Sequence, residues 1–289
     1  MVRSVRPSSL LPIRPFPALL LKKKSKRVLV VADLHIGWEA TLAEQGVHVP
    51  SQMPKILDKM IRLIELCKPT SLIFLGDVKH SVTGIEMKEW RDIPDFFETL
   101  GKKVEDIQVI PGNHDGNLEP LLPEFVKILP LTGVVLGDIG LFHGHAWPAP
   151  ELLGCRHLIT GHVHPMVVFR DPMGFRITRP VWVKTRCDST RLAESLLKHL
   201  SVKVEEDPAT SLRKLFKVKL RCSELFIMPS FNDFLGGQPI NWKSLGKSSR
   251  SRAFIGPVLR SGSIDIDNAE TYLLDGTFLG KISQLRAFS

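Results

Sequence analysis

Carboxylates, an amide and imidazoles recur in five short clusters: Asp33-Leu34-His35, Gly76-Asp77, Gly112-Asn113-His114-Asp115, His143-Gly144-His145 and Gly161-His162-Val163-His164. The donors are oxygen and imidazole nitrogen, with no thiolate among them. That set suits Mn²⁺, Fe or Zn²⁺ better than a soft metal. On an extended segment, side chains two apart point to the same side, so Asp33 with His35, and His162 with His164, can each aim both groups at one centre. There are enough ligands for two ions sharing one carboxylate. Two ions about 3.5–4 Å apart can activate a water and clamp a transferring phosphoryl group, so the chemistry expected is phosphate-ester hydrolysis.

Each cluster alone has an ordinary alternative. Asp33 could cap a helix, Gly76-Asp77 is a common turn, and Asn and Asp beside glycine are everyday turn formers. What sets them apart is joint occurrence, because every cluster follows an apolar, strand-like run. "ALLL", "KKKSK" and "RVLVVA" read as two strands around a polar turn, the second leading to Asp33. Gln52 to Cys67 places Ile56, Leu57, Met60, Ile61, Leu63 and Ile64 at helical spacing behind Ser51 as N-cap. "SLIFL" leads to Gly76-Asp77, a helical pattern over Glu86 to Leu100 contains Pro94, and "IQVI" leads to "PGNHD". "VVLGDIGLF" reads as paired strands ending at His143, and "HLIT" as a strand ending at "GHVH". Strands alternating with helices predict a layered α/β fold, in which ligands bind outside the carboxyl ends of the strands. Further on, residues 166 to 183 read as strands around "DPMG", Thr190 to Leu200 as a helix and Leu212 to Leu220 as a basic alternating strand. "ELFIMPSF", "AFIGPVL", "TYLL" and "FLGKI" are the remaining strand candidates.

The ordered motifs "DLH", "GD", "GNHD", "HGH" and "GHVH" resemble those of the calcineurin-like metallophosphoesterases. The longer strings "ADLHIGWEATLAEQGVHVP", "GDVKH", "GNHDGN", "GHVHP" and "MPSFNDFLGGQPIN" are similar to the SbcD-related phosphoesterases of archaea and the bacterial ligase-associated DNA-damage-response endonucleases. The resemblance covers roughly residues 15 to 285. It implies an α/β, four-layer αββα sandwich of two mixed sheets flanked by helices. Residues 1–14 read as a basic arm that the resemblance leaves unmatched, and 15–289 as a single domain with a divergent basic insertion at about 184–222. Carried over residue by residue, it gives one metal to Asp33, His35 and His164, the other to Asn113, His143 and His162, and a bridging role to Asp77. The nucleophile would be a water activated by the ions, and His114 the general acid toward the leaving alkoxide. Asp115 would orient His114 or shape its turn. His80 and His145 would support the site or meet the substrate phosphate. The cofactors implied are two divalent ions, with Mn²⁺ foremost and Fe, Zn²⁺ or Ni²⁺ as alternatives.

Charge bears on the substrate. Among 289 residues with a net charge of +9, residues 1–32 hold eight Lys or Arg and no acid, 33–175 hold twelve basic against nineteen acidic, and 176–222 hold twelve against five. Residues 243–260 add five basic residues and no acid. Basic flanks attract a polyanion, so nucleic acid is the expected partner, DNA favoured, with a repair helicase or ligase as a further one. Trp38, Trp147, Trp182 and Trp242 offer stacking surfaces, although core packing suits most of them. The leading expectation is a two-metal nuclease linked to DNA repair. A phosphodiesterase or phosphatase of small nucleotides, or a weakly active interaction module in a repair or RNA-processing complex, are the competing readings. The apolar runs fall far short of the roughly 18–20 residues that cross a bilayer, and the N-terminal region lacks signal-peptide features. A cytoplasmic protein with no membrane contact is expected, its four widely spaced cysteines buried as free thiols.

Overall fold

The short apolar runs become the strands of two mixed sheets, each with its own helices, so the chain has the mixed α/β class that the resemblance implies. The computed structural model describes residues 9–23, 25–171, 173–204, 207–242 and 255–289. These fall into two compact units: the described residues up to Leu131 with Ser230–Leu235, and those of Thr132–Pro229 with Gly236–Ser289.

In the first unit, β1 (Ser9–Pro12), β2 (Leu19–Lys23) and β3 (Lys26–Val31) are antiparallel neighbours; β3, β4 (Ser71–Leu75), β5 (Asp106–Ile110) and β6 (Val126–Ile128) then run parallel. Strand β1 occupies part of the stretch expected to be a basic arm, and residues 1–8 of that arm lie outside the described residues. Helix α2 (Met53–Cys67) buries Ile56, Met60, Leu63 and Ile64, the stripe expected from the 3.6-residue period. Its N-cap is Gln52 rather than the expected Ser51, whose hydroxyl nevertheless accepts from Met53 N at 3.3 Å. Helix α3 (Met87–Gly101) accommodates Pro94 and sets Phe96 and Phe97 edge-on to Phe74 of β4, with ring centroids 5.9 and 5.1 Å away. Parallel pairing puts the carboxyl ends of β3, β4 and β5 on one edge, and Asp33, Asp77 and Asn113 follow directly there.

In the second unit the sheet runs β13 (Gln238–Pro239), β10 (Pro165–Arg170), β11 (Arg176–Arg186), β12 (Glu224–Ile227), β9 (His157–Thr160), β8 (Ile139–Leu141), β7 (Val134–Leu136). β14 (Glu270–Leu273) pairs with β11 and with β15 (Phe278–Lys281). β8 and β9 are parallel, and their carboxyl ends deliver His143 and His162. Helix α4 (Ser189–His199) starts at Asp188, which accepts from Thr190 N and Arg191 N, and buries Leu192, Ala193, Leu196 and Leu197.

Two strand expectations fail here for local reasons. Residues 208–216 form helix α5 (Pro208–Phe216) where a basic strand over Leu212 to Leu220 was expected. Asp207 accepts from Ala209 N and Thr210 N, Pro208 pre-sets the first turn, and left-handed Lys217 ends the helix. An N-cap five residues upstream outweighs the alternating pattern. Likewise the end of "AFIGPVL" enters a single helical turn, Pro257–Arg260, initiated by proline; residues 253 and 254 of that run lie outside the described residues. All four cysteines are buried, with Cys187 Sγ and Cys222 Sγ 4.0 Å apart.

Candidate functional site

Five of the candidate residues share an uncommon backbone conformation. Asp33, His35, Asp77, His162 and His164 all have positive φ, at 59°, 45°, 51°, 68° and 45°. Non-glycine residues rarely take this region, and such strain persists where surrounding structure over-determines it. The expectation that the D-x-H and H-x-H pairs lie on extended segments is therefore corrected. The residues after β3 and β9 turn left-handed as soon as the sheet ladder ends, and it is this turn, not a pleat, that aims them.

The first unit holds its strained loops by hydrogen bonding one to another. Asp33 N donates to Gly76 O (3.1 Å), His35 N to Asp77 O (2.9 Å), Ile36 N to Val78 O (2.8 Å) and His80 N back to Ile36 O (3.1 Å). The returning segment adds Phe231 N to Ala32 O, Ser230 Oγ to Asp33 O at 2.8 Å and Asn232 Nδ2 to Leu34 O at 3.0 Å. Asp115 ties the third loop in: its Oδ1 accepts from Val78 N and Lys79 N, and its Oδ2 from Gly112 N. Its carboxylate thus shapes the turn, one of the two roles considered for it. Gly112 is required sterically, because a Cβ there would lie 2.1 Å from Asp77 Oδ1 and 2.5 Å from Asp77 N.

Within this frame, Asp33, His35 and Asp77 are buried, and each offers a ligand atom within 4.8 Å of the others. His35 Nε2 stands 3.4 Å from Asp77 Oδ2. Two buried carboxylates beside an imidazole are costly unless a cation complements them, so the donor set fits a divalent ion. Asp77 Oδ1 also accepts from His114 N at 2.9 Å. His114 Nδ1 hydrogen-bonds the His80 carbonyl; since a carbonyl only accepts, Nδ1 carries the proton and Nε2 is left to exchange one. His80 Nδ1 meets His35 Nδ1 at 3.2 Å, and its Nε2 meets Thr41 Oγ1 at 3.1 Å. Burial, then the neighbouring His114, push the His80 pKa below the usual histidine value. Asn113 is exposed at the tip of its turn.

In the second unit, His143, His145 and His162 cluster, with ring centroids 5.0 Å apart for His143 and His162 and 5.2 Å for His143 and His145. His143 and His162 offer ligand atoms within 4.8 Å of each other. The His143 carbonyl accepts from Thr160 Oγ1 (2.5 Å) and Gly161 N (3.0 Å). Gly144 passes so close to Thr160 that a Cβ would lie 2.3 Å from its hydroxyl, and Gly256 seats against the Gly144 carbonyl in turn. His164 enters β10, its carbonyl accepting from Gln238 N.

Two residues that sequence reading missed brace the first unit. Glu89, fully buried in the first turn of α3, accepts from His80 N and Ser81 N through Oε1 and from Ser81 Oγ and Glu86 N through Oε2. Its Cγ also fills the space beside Gly37, where a Cβ would meet it at 2.9 Å. Lys79, equally buried, donates to the Ser81 and Gly84 carbonyls. For Glu89 the available signal is a charged residue on the buried face of a helix, at the N-terminus where a carboxylate is favoured.

Residues 26–166 match the family of calcineurin-like phosphoesterases (Metallophos). No curated protein sequence matches the chain. Among solved structures, the chain is similar to the Pseudomonas putida nuclease MPE, at 20% identity and a TM-score of 0.50, over 94% of this chain and 100% of that one. It is also similar to YfcE, a phosphoesterase from E. coli, at 20% identity and a TM-score of 0.32, over 50% of this chain and 73% of that one. No helix among the described residues is long and apolar enough to cross a membrane. The matched span takes in every cluster from Asp33 to His164 and the strands that present them, so the chain carries a calcineurin-like metallophosphoesterase domain and is a metal-dependent hydrolase of phosphate esters.

Proposed function

We propose that the protein is a two-metal phosphodiesterase that hydrolyses nucleic acid, DNA in preference, in the context of DNA repair in the cytoplasm. The observation that carries the hydrolytic reading is the positive φ of Asp33, His35, Asp77, His162 and His164, strain placed on the residues whose types suit metal binding. Asp33, His35 and His164 are assigned to one ion, Asn113, His143 and His162 to the other, and Asp77 to both. Manganese is the ion assigned, because oxygen and imidazole donors without thiolate suit it. When bound, such ions supply an activated water and offset phosphoryl charge. His114 holds a proton for the leaving alkoxide at Nε2, its ring oriented by the His80 carbonyl and its backbone by Asp77. The nucleic-acid part is supported by the basic flanks and by a similar solved structure that is a nuclease. A helicase or ligase partner follows from the sequence resemblance alone.

The test is a manganese-dependent assay on single-stranded DNA, nicked DNA, RNA and bis-p-nitrophenyl phosphate, with Asp77→Ala as the metal-site control. Cleavage of DNA lost in Asp77→Ala supports the proposal. Hydrolysis of the small diester with DNA left intact removes its nucleic-acid half and favours a small-nucleotide substrate.

A further inference from the structure

β11 pairs with β12 and β14 only from Val181 onward, and β10 with β13 only at Pro165 and Met166, so Val167–Arg170 and Arg176–Arg179 of the β10–β11 hairpin extend past the sheet as a two-stranded ribbon. Its outer residues are exposed from Gly174 to Arg179, and they mix large apolar side chains with basic ones. Phe175 is 67% exposed, Met173 83% and Ile177 48%, set among Arg170, Arg176 and Arg179. Arg170 and Arg176 are cross-strand partners, and both guanidinium groups lie over the ring of Trp242, 5.6 and 5.0 Å from its centroid. The one acid on the ribbon, Asp171, accepts from Met173 N and Phe175 N through Oδ1 and so closes the turn.

Trp242 is anchored. The preceding Asn241, fully buried, hydrogen-bonds both the N–H and the C=O of Val168 (2.9 and 2.8 Å) and donates to Leu285 O at 3.1 Å. This side chain stands in for a strand alongside β10 and fixes the indole next to Arg170. Arginines stacked on an immobilised indole are pre-ordered cations, and exposed Phe and Trp rings offer stacking surfaces. Fixed positive charge interleaved with aromatic faces is what phosphate backbones and unpaired bases recognise.

We propose that the β10–β11 ribbon with Trp242 is a nucleic-acid docking surface. The inference rests on the nuclease reading and deepens it by naming where the strand is held. His164 precedes β10 directly, and the six residues of that strand rise about 3.3 Å each, so the arginine end lies roughly 20 Å along the strand from His164. At about 3.4 Å per nucleotide of a duplex strand, a substrate must be about six nucleotides long to touch both. Short oligonucleotides should therefore be poor substrates.

Binding is measured without metal, in chelator, with a fluorescein-labelled single-stranded DNA of about 20 nucleotides, longer than the ~4–16 nucleotides of typical single-strand sites. Each lost phosphate contact should lower the slope of log affinity against log salt by about 0.7, so Arg170→Ala/Arg176→Ala/Arg179→Ala should lower it by about 2. Phe175→Ala should weaken binding at an unchanged slope. Lys198→Ala/Lys203→Ala, which removes two exposed charges elsewhere in the unit, should leave both quantities near wild type. A triple variant with wild-type slope and affinity, in a protein that still cleaves DNA, overturns the docking surface alone. Wild-type protein that hydrolyses bis-p-nitrophenyl phosphate but neither binds nor cleaves DNA overturns the nuclease reading and the docking surface with it. Binding of wild type, but not the triple variant, to phosphatidylserine vesicles without competition from DNA would identify a membrane surface and overturn the proposal.

Discussion

Replacing Gly112 with alanine adds a single methyl group to the turn that carries Asn113 and His114, and the structure states what that methyl meets. The new Cβ would stand 2.1 Å from Asp77 Oδ1, 2.5 Å from Asp77 N and 2.8 Å from Asp77 Cγ. Ordinary contact begins at 3.4 Å, so the carboxylate and the turn must part by about 1.3 Å. Neither side yields easily. The Asp77 backbone is held by its carbonyl bond from His35 N, and the turn by Gly112 N to Asp115 and His114 N to Asp77. A misplacement of about 1 Å in a catalytic constellation costs on the order of 10²-fold in rate, equivalent to ~2.7 kcal/mol of transition-state stabilisation. Gly112→Ala should therefore lose about 10²-fold in kcat/KM for bis-p-nitrophenyl phosphate with Mn²⁺ while keeping a cooperative unfolding transition. Gly116→Ala, in the same loop, meets only Val82 O at 3.6 Å and should stay within about 3-fold of wild type. If Gly112→Ala also stays within that range, the tight seating of this turn against Asp77 does not govern activity, and the reasoning is refuted.

Glu89→Ala should destabilise the protein by about 1–3 kcal/mol in urea unfolding, because it strips an acceptor from three N–H groups and a hydroxyl. It should also lower kcat more for alkyl than for p-nitrophenyl leaving groups, through the His80 carbonyl that orients His114; equal losses would assign Glu89 to folding alone. Mn²⁺ at about 100 times its Kd should add ~2.7 kcal/mol, raising the melting temperature of a chain this size by about 5–10 °C, with chelator reversing the rise and Asp77→Ala abolishing it. A melting temperature indifferent to both ion and chelator would contradict the proposed ligand set. The Cys155 thiol is pushed up to about 11, by burial first and Asp138 second. The folded state therefore holds this proton more tightly than the unfolded one. The stability it contributes is whole below about pH 9 and is lost as pH rises to about 11. Urea midpoints taken across that window should fall further for wild type than for Cys155→Ala, and parallel declines would exclude the thiol as the cause.

The candidate site was legible because its motifs sit where strands end, and a strand end is easy to read: an apolar run stops and glycine, asparagine or histidine begins. What was not legible is how the residues are aimed. A D-x-H pair looks the same whether it continues a pleat or turns left-handed, since the hydrogen bonds that force positive φ come from Gly76, Asp77 and Val78, some 40 residues away. Glu89 was hidden for a related reason. Its partners His80 and Ser81 lie one helical entry upstream, and a glutamate near a helix start ordinarily reads as a solvated charge. The pattern over Leu212 to Leu220 points to a strand because its four basic residues break any helical face, whereas the deciding signal is the Asp207-Pro208 start. Trp242 shows the same limit: the four tryptophans considered look alike in sequence, yet Trp182 is buried and Trp242 is 43% exposed beneath two arginines.

The returning segment Ser230–Leu235 has a consequence for how this enzyme comes into being. Ser230, Phe231 and Asn232 donate to the carbonyls of Asp33, Ala32 and Leu34, so the loop that carries Asp33 and His35 receives three of its restraints from residues about 200 positions later. On the ribosome, Asp33 and His35 emerge early but stay without those restraints until the chain has grown past Asn232. This threading delays the finished loop until most of the protein has been made. It also means that a fragment ending before Ser230 is not a minimal version of the first unit, and failure of such a fragment to hydrolyse phosphate esters says nothing about the residues it retains.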